Sequence, residues 1–356
     1  MDERQHSELP ARYRDLAGKS ILVTGAAGFI GGDLFRTLAS YGLDVIGTVL
    51  LPEEAQELEK QGYKAQVIDL AGSESWDEML IGIDVIFNVA ALFQELEYGR
   101  AQYERVNHHG ALKLATTAGR VGVERFIHCS TVGVHGSVVQ IPATEQTPFN
   151  PMDEYHETKL AGELAILDYA RGLPADGMTV VVNRPAMVYG PRDMRMLKLF
   201  QAILSRRFRM IGSGNVLAHM GYIEDQTDSF LLCAVASRGK VHCEAFNIAS
   251  GLPITLNDLA SEIAVSGGVQ IPRLHIPVAP VWIAALICEL ICKPFGVKPP
   301  LFRRRVGFFT HDRAFDLSKA EECLGYKSHW ELQEGISKTI EWYRERNLVP
   351  KQDCRK

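Results

Sequence analysis

Short apolar runs alternate with stretches of helical period from Ser20 to about Arg184. The runs predict β-strands at Ile21–Thr24, Asp44–Val49, Ala65–Ile68, Val85–Val89, Phe126–Ser130 and Thr179–Asn183. Between them, apolar residues at helical spacing predict helices at Asp33–Ser40, Glu53–Gln61, Ala101–Arg120 and Tyr155–Arg171. The strands lack strict in/out alternation, which is typical of strands buried on both faces. The pattern therefore predicts an α/β fold, a doubly wound parallel sheet covered by helices.

After Gly190 the pattern loosens, and we expect a smaller, mostly helical C-terminal lobe. Helices are predicted at Met194–Arg207, Asp225–Ala236 and Leu332–Arg346, and one further strand of the main sheet at Ala245–Ile248. The predicted division is a polar N-terminal extension at 1–18, a first domain at 19–190 with a return strand near 245–250, an interleaved lobe at 191–348 and a tail at 349–356.

One segment of the lobe, Val278–Ile291, is strongly apolar, although Pro280 interrupts it. It is shorter than the roughly 20 apolar residues that cross a bilayer. A buried helix, or one that caps a pocket, is the favoured interpretation. The alternative is peripheral membrane contact, because the basic residues Lys293, Lys298 and Arg303-Arg304-Arg305 follow the segment.

Composition argues against several classes of protein. The 356 residues carry a formal net charge of -5 and 23% charged residues, so no basic or acidic excess points to nucleic acid. The seven cysteines include no C-x-x-C pair, which argues against a disulfide framework and a zinc site. No apolar leader precedes Gly18. We expect a cytoplasmic protein that holds no metal.

A glycine-rich turn, Thr24-Gly25-Ala26-Ala27-Gly28-Phe29-Ile30-Gly31, directly follows the first predicted strand. Gly25 suits the tight turn, Gly28 leaves no Cβ in the way of a phosphate, and Gly31 lets the helix pack closely on the strand. The strand before the turn and the amphipathic helix after it provide the context of a dinucleotide-binding unit, with the helix N-terminus facing the pyrophosphate. This assigns residues 19–190 to dinucleotide binding and leaves the lobe for the substrate.

Tyr155 and Lys159 lie four positions apart in a predicted helix, so both side chains share one face. A general acid/base works best with a pKa near the operating pH, and a neighbouring ammonium favours the ionised form of a tyrosine. Ser130-Thr131 ends a predicted strand, where a hydroxyl would hydrogen-bond a substrate carbonyl or alcohol. Each piece alone has an ordinary structural explanation, but their order and their places at strand ends make the joint signal strong.

These motifs resemble those of the extended short-chain dehydrogenase/reductases, the superfamily of NAD-dependent epimerases and dehydratases. The resemblance covers about Gly18 to Leu348. The matching pieces are Thr24–Gly31, Asp69-Leu70, Asn88–Ala91, Ser130–Gly136, Tyr155–Lys159 and Arg184–Asp193. The tail is more similar to the branch that contains the 3β-hydroxysteroid dehydrogenase-like enzymes. The resemblance also implies a Rossmann-like fold and a homodimer.

The resemblance implies a role for each matching residue. Tyr155 exchanges the proton, Thr131 orients the substrate, and Lys159 holds the nicotinamide ribose and tunes Tyr155. Asp69 and the backbone amide of Leu70 contact the adenine. The other implied cofactor contacts, beside Tyr155 and Lys159, are Gly25, Ala27, Gly28, Phe29, Ile30, Gly31, Val89, Ala90, Ala91 and Pro185.

Departures from the family pattern bear on the substrate. Val132-Gly133 stands where the family's 4,6-dehydratases have an acidic pair, so dehydration is not expected. Met187 and Ala218 stand where many nucleotide-sugar enzymes have polar anchors. Candidate substitutes for these anchors are Arg192, Arg206, Arg207 and His219. We therefore expect an NAD(P)-dependent oxidoreductase that transfers a hydride between nicotinamide and a secondary alcohol or ketone on a bulky, sterol- or lipid-like substrate.

Two other functions and two cofactors stay open. A nucleotide-sugar 4-epimerase or 4-ketoreductase uses the same residues, and a non-catalytic dinucleotide-binding sensor has no need of all three of Thr131, Tyr155 and Lys159. The end of the second strand, Thr48–Leu51, has neither the acid that holds an NAD ribose nor an arginine for the NADP phosphate. NAD is favoured over NADP, because NADP would leave a doubly charged phosphate unpaired.

Overall fold

The computed structural model describes residues 7–93, 99–138, 140–270, 274–295 and 303–351. The first residues of the predicted extension at 1–18, the last residues of the tail at 349–356, and Lys298 lie outside this described part. The β-strands are β1 Ser20–Thr24, β2 Asp44–Val49, β3 Lys64–Val67, β4 Val85–Asn88, β5 Arg125–Cys129, β6 Thr179–Pro185, β7 Met187–Tyr189, β8 Met210–Ile211, β9 Leu217–Ala218, β10 Met220–Tyr222, β11 Glu244–Ile248, β12 Ile254–Thr255 and β13 His275–Ile276.

The α-helices are α1 Phe29–Ser40, α2 Pro52–Lys60, α3 Asp77–Leu80, α4 Arg100–Tyr103, α5 Ala111–Val121, α6 Glu154–Arg171, α7 Leu197–Leu204, α8 Ile223–Val235, α9 Arg238–Val241, α10 Leu256–Gly267, α11 Val278–Cys292, α12 Arg303–Gly307, α13 Ser318–Leu324 and α14 Leu332–Glu345. Turns of 3₁₀ helix lie at Ala11–Leu16, Val132–His135 and Lys293–Phe295, and a π-helical turn lies at Glu104–Gly110.

The main sheet has seven strands in the order β11-β6-β5-β4-β1-β2-β3. Every neighbouring pair is parallel. Because the chain runs outward from β1 to β3 and then returns to β4 on the other side of β1, the connections after β1 and β4 diverge. A crevice opens between them at the carboxyl edge of the sheet, where open α/β sheets bind ligands. The predicted doubly wound, Rossmann-like fold is confirmed.

Apolar side chains cover both faces of this sheet. On one face α1, α2 and α8 pack with Val23, Phe87 and Phe246 of the strands. The 3₁₀ turn Ala11–Leu16 adds Tyr13 and Leu16 to the same core. On the other face α3, α5 and α6 pack against Leu22, Ile86, Phe126 and Val180. Burial on both faces explains why these strands are apolar without alternation.

The C-terminal lobe packs around a second core made by α7, α10 and α14. Short strand pairs complete it: β7 with β10, β9 with β12, and β8 with β13. The lobe is joined to the main sheet by β11, which pairs with β6 along Glu244–Ile248. The lobe is therefore not continuous in sequence, because the chain returns to the main sheet at β11 between two segments of the lobe.

Two elements differ from the sequence expectation. The predicted helix Ala101–Arg120 contains the π-helical turn Glu104–Gly110, and a Cβ at Gly110 would overlap the carbonyl oxygen of Leu70. The favoured interpretation of α11 as a buried helix is wrong, since Ala285 is its one fully buried residue and most of its large apolar side chains are exposed. Pro280 does not interrupt α11, because it lies in the first helical turn, where no hydrogen bond is lost.

Candidate active site

A cavity of about 410 Å³ lies at the carboxyl edge of the main sheet, in the crevice between β1 and β4. The structure brings all of the residues predicted for catalysis and cofactor binding to its wall: Gly25, Ala27, Gly28, Phe29, Ile30, Gly31, Asp69, Leu70, Val89, Ala90, Ala91, Thr131, Tyr155, Lys159 and Pro185. Their roles there stay predictions.

The glycine turn packs too closely for side chains. Gly25 has a φ of +72°, and a Cβ on it would lie 3.0 Å from the Cα of Ala90. A Cβ on Gly31 would overlap the carbonyl oxygen of Gly25. Helix α1 begins at Phe29 with Gly28 as its N-cap, and no side chain caps it. The amide groups of its first turn are therefore free to bind an anion, with the helix dipole in support.

The hydroxyl of Thr24 joins the diverging ends of β1 and β4. Its Oγ1 donates to Oδ1 of Asn88 at 3.0 Å and accepts the backbone N–H groups of Val89 and Ala90 at 2.9 Å each. The amide of Asn88 contacts Nδ1 of His128 at 3.1 Å. Burial, and then the charge of Lys159, hold the pKa of His128 well below its usual range. This polar chain is neutral, and it holds Val89 and Ala90 of the cavity wall at the end of β1.

Helix α6 presents Tyr155 and Lys159 to the cavity on one face. Asp153 caps the helix by accepting the N–H of His156 at 2.9 Å, which places Tyr155 in the first turn. Lys159 is almost fully buried and donates from Nζ to the carbonyl oxygen of Cys129 at 2.6 Å. Desolvation lowers the pKa of Lys159, whereas the nearby Glu163 raises it. The sequence prediction that both side chains share a face holds.

Two hydroxyl groups lie at the end of β5. Thr131 begins the 3₁₀ turn Val132–His135, and its Oγ1 accepts the N–H of Gly133 at 3.1 Å. No described residue accepts the Thr131 hydroxyl proton, which leaves that proton for a ligand. Ser130 lines the cavity with its Oγ buried and without a hydrogen-bond partner among the described residues. A buried polar atom of this kind costs free energy unless a bound molecule satisfies it.

Sequence reasoning missed two further residues of the cavity wall, Phe93 and Arg195. Phe93 packs edge-to-face on Tyr155, with ring centroids 5.1 Å apart. The Arg195 guanidinium lies 4.7 Å from the ring of Phe29 and 5.4 Å from that of Phe93. Nε of Arg195 pairs with the buried carboxylate of Asp193 at 2.9 Å. Phe93 and Arg195 both lie in loops of the structure. Arg195 falls within the predicted helix Met194–Arg207, which begins only at Leu197, and helical spacing gave no sign that its side chain reaches the cavity.

Glu54 is a third residue that sequence reasoning missed. It lies in the first turn of α2 and lines the cavity together with Thr48, Val49 and Leu50. Its carboxylate accepts the N–H of Leu51 at 3.2 Å. An acid is thus present beside the end of β2, although it lies on the following helix. Helical spacing after Pro52 was the available signal, but it does not show which way α2 lies against the sheet.

A buried ion pair lies behind the catalytic candidates. The Arg184 guanidinium, at the end of β6, donates to both carboxylate oxygens of Glu163 on α6, and both side chains are buried. Its Nη1 also donates to Nε2 of His135 at 3.2 Å. Burial lowers the pKa of His135 to about 4, so the ring is neutral and its Nδ1 donates to the carbonyl oxygen of Thr147. One guanidinium thus ties together α6, β6 and the turn that follows Thr131.

Among the described residues, no cluster of histidine, cysteine, aspartate and glutamate could hold a metal ion. The cavity offers hydroxyls, one buried ammonium and a backbone anion site, together with the charged side chains of Glu54, Asp69 and Arg195. A model of the NAD dependent epimerase/dehydratase family matches residues 21–249, more than half of the chain. The chain belongs to that family. The predicted resemblance is confirmed, and the protein is an enzyme of the NAD-dependent oxidoreductase/epimerase type.

Relatives in the family differ in what they act on. A 3beta-hydroxysteroid-dehydrogenase/decarboxylase of Arabidopsis thaliana is 28% identical over 351 residues, covering 90% of this chain and 78% of the relative. A UDP-glucose 4-epimerase of Mycolicibacterium smegmatis is 28% identical over 346 residues, covering 92% and 99%. The crystal structure of a UDP-glucuronic acid 4-epimerase from Bacillus cereus with NAD superposes with a TM-score of 0.72 at 22% identity, covering 92% of this chain and 99% of that one.

We expect Glu163→Gln to destabilise the fold by about 3 kcal/mol, because it leaves the Arg184 charge buried beside a neutral group. Urea unfolding followed by circular dichroism measures this loss. Glu157→Gln is the matched control, since Glu157 lies on the same helix and pairs at the surface with Arg100. It should change stability little. Equal losses for the two variants would contradict a special role for the buried pair.

Proposed function

We propose that the enzyme oxidises a secondary alcohol, or reduces the matching ketone, on a bulky and largely apolar substrate of sterol or lipid type. The observation that carries this proposal is the apolar part of the cavity lining, which includes Phe93, packed on Tyr155, together with Phe29, Ala186 and Val188. An apolar surface of this kind favours an apolar substrate, because its burial releases water from both sides.

Of the positions expected to anchor a nucleotide diphosphate, neither Ala218 nor His219 supplies a free polar group, and Arg192, Arg206 and Arg207 are not part of the cavity wall. Ala218 is buried in the core of the lobe. His219 is also buried, with Nε2 donating to the carbonyl oxygen of Gly251 at 3.0 Å and Nδ1 accepting the N–H of Phe315 at 3.3 Å. Both ring nitrogens are therefore used within the protein. This supports the sterol- or lipid-like substrate over a nucleotide sugar.

The cavity fits a nicotinamide dinucleotide at the places that the motifs predict. The close packing at Gly25 and Gly31, with uncapped amides at the start of α1, suits a pyrophosphate. Asp69 and Leu70 would hold the adenine, and Lys159 the nicotinamide ribose. The bound cofactor supplies the hydride chemistry, and the protein supplies position and charge.

The residues around the reacting oxygen would transfer one proton between the substrate and Tyr155. In oxidation, Oη of Tyr155 takes the proton of the substrate hydroxyl, and in reduction it returns one to the same oxygen. The Thr131 hydroxyl, whose oxygen already accepts the Gly133 N–H, donates to that oxygen and holds it in place. The Lys159 ammonium, fixed by the Cys129 carbonyl, favours the ionised phenol during the transfer.

A nucleotide-sugar 4-epimerase or 4-ketoreductase is the second candidate function. Arg195 favours it, because its guanidinium lines the cavity and its Nη1 has no hydrogen-bond partner among the described residues. A cation at this place would suit a diphosphate. The charge of Arg195 is, however, already balanced by the buried Asp193, so the apolar substrate stays the favoured one.

For the cofactor we propose NAD, on the position of Glu54. A carboxylate beside the end of β2 suits the ribose hydroxyls of NAD and repels the extra phosphate of NADP. Glu54 would thereby bind the ribose hydroxyls, for which Thr48–Leu51 provide no acid.

Tyr155→Phe should lower turnover by roughly 10²- to 10⁴-fold while the affinity for NADH stays nearly constant, since only the proton carrier is lost. Steady-state rates on a panel of sterol and oxo-lipid ketones, with NADH fluorescence titration, measure both effects. Tyr63→Phe is the control, because Tyr63 packs on Phe35 away from the cavity wall. Full activity of Tyr155→Phe would overturn the proposed mechanism.

Calorimetric titration of UDP, dTDP, GDP and CDP into the NADH-loaded enzyme separates the two substrate classes. The apolar cavity wall predicts no binding heat from any of the four. One-per-subunit binding that disappears in Arg195→Gln would instead establish the nucleotide-sugar function and refute the sterol or lipid assignment.

Glu54→Gln should reduce the preference for NADH over NADPH by about tenfold, because it removes the charge that opposes the second phosphate. Dissociation constants of the two cofactors, measured by fluorescence, give the ratio. Glu53→Gln is the matched control, since Glu53 lies on the same turn of α2 but is exposed and off the cavity wall. A ratio equal in both variants would rule out this role for Glu54.

A further inference from the structure

Helix α11 carries a continuous apolar surface on its outer side. Ile283, Ile287 and Ile291 repeat at four-residue spacing, and their neighbours widen the stripe. We call this surface the α11 patch, which consists of the exposed side chains of Trp282, Ile283, Ile287, Leu290, Ile291 and Phe295. The most exposed of them, Phe295, keeps 77% of its surface in contact with solvent. Apolar patches of this kind mark interaction sites on soluble proteins.

The patch is held outward by contacts on the inner side of the helix. Ala285 is buried there, as is Val306 of the adjacent α12. The carboxylate of Glu289 accepts the backbone N–H of Arg303 at 2.6 Å and pairs with its guanidinium at 2.8 Å. That guanidinium also lies 5.7 Å from the ring of Trp282. The helix therefore has a fixed inner face, and its apolar outer face does not serve the core.

The length of α11 decides how it would meet a membrane. Its 15 residues span about 22 Å, which is less than the ~30 Å of a bilayer hydrocarbon core. No helix within the described ranges is long and apolar enough to cross a membrane. A helix of this size with an exposed apolar stripe suits the interface between lipid and water.

The charge of the chain next to the α11 patch indicates which kind of surface the patch binds. The chain as a whole is negative, at -5, but residues 290–311 contain five lysines and arginines and no aspartate or glutamate. One of the five, Arg303, is paired with Glu289. Two copies joined through a two-fold axis would bring two such basic runs together, since the same patch faces itself in that symmetry. An anionic surface would instead attract the basic run, over a short range and more weakly as salt is added.

We propose that the α11 patch docks this enzyme on the surface of an anionic lipid bilayer, with the helix lying in the interface. The docked lobe is packed against the active site, because Phe315 of the same lobe contacts the cluster that includes Val132, the residue after Thr131. Docking would place the lobe where sterol- or lipid-like molecules partition. The docking itself is measured without turnover, so its failure is distinct from a failure of the proposed reaction.

The test is cosedimentation of the full chain with vesicles made of phosphatidylcholine and phosphatidylglycerol in equal parts. We expect wild type to bind, and the paired changes Ile287→Asp and Leu290→Asp to lower the partition coefficient by about tenfold or more. Val265→Asp is the matched control, since Val265 is an exposed apolar residue on another helix of the lobe, α10. NADH titration of each variant shows that its fold is intact.

Charge supplies the second arm of the test. Binding should fall on vesicles of phosphatidylcholine alone and with added salt. Wild type that stays in the supernatant with anionic vesicles would overturn the proposal, as would equal binding by the paired variant. A lipid-independent dimer that the paired variant converts to monomer would overturn it too, and would assign the patch to a second copy of the chain.

Discussion

The rest of the site depends on one hydroxyl group, that of Thr24, at the point where the chain changes direction across the sheet. The connections after β1 and β4 leave on opposite sides, so the strand ends would be left with unpaired backbone amides. Thr24 accepts those of Val89 and Ala90 and donates to Asn88, which closes the gap with short polar contacts. The glycine turn and the Val89–Ala91 segment are thereby held at the distance that forms the cavity.

Buried charge is the second constraint on this site. Lys159 is almost fully buried, and desolvation opposes its ionised form. The carbonyl of Cys129 and the negative charge of Glu163 work against that cost. Glu163 in turn is satisfied by Arg184, which also reaches His135. The ion pair is thus part of how α6 keeps an ammonium at the cavity wall, and breaking it would affect both stability and the helix that carries Tyr155 and Lys159.

The two apolar surfaces of the protein have different physical origins. The cavity wall at Phe29, Phe93 and Val188 is concave and partly shielded, so a small molecule bound there would replace water. The α11 patch is convex and pinned outward by the pair of Glu289 with Arg303. Hydropathy along the sequence does not distinguish the two surfaces, since both are apolar. Only the cavity wall has the shape to enclose a small molecule. The convex α11 patch suits a partner with an extended surface.

Local pattern was sufficient for the fold and for the residues that short motifs carry. Strands β1, β2, β4 and β5 lie within one residue of their predicted bounds, because burial on both faces leaves a direct mark in the sequence. The glycine turn and the Tyr155-Lys159 spacing are local too, since each lies within one turn or one helix. Glu54, Phe93 and Arg195 were not predictable, because they reach the cavity only through the folding of α2 and of two loops. The pairing of Glu163 with Arg184 and the outward face of α11 were likewise decided by tertiary packing, which selects the side of a helix that meets the core.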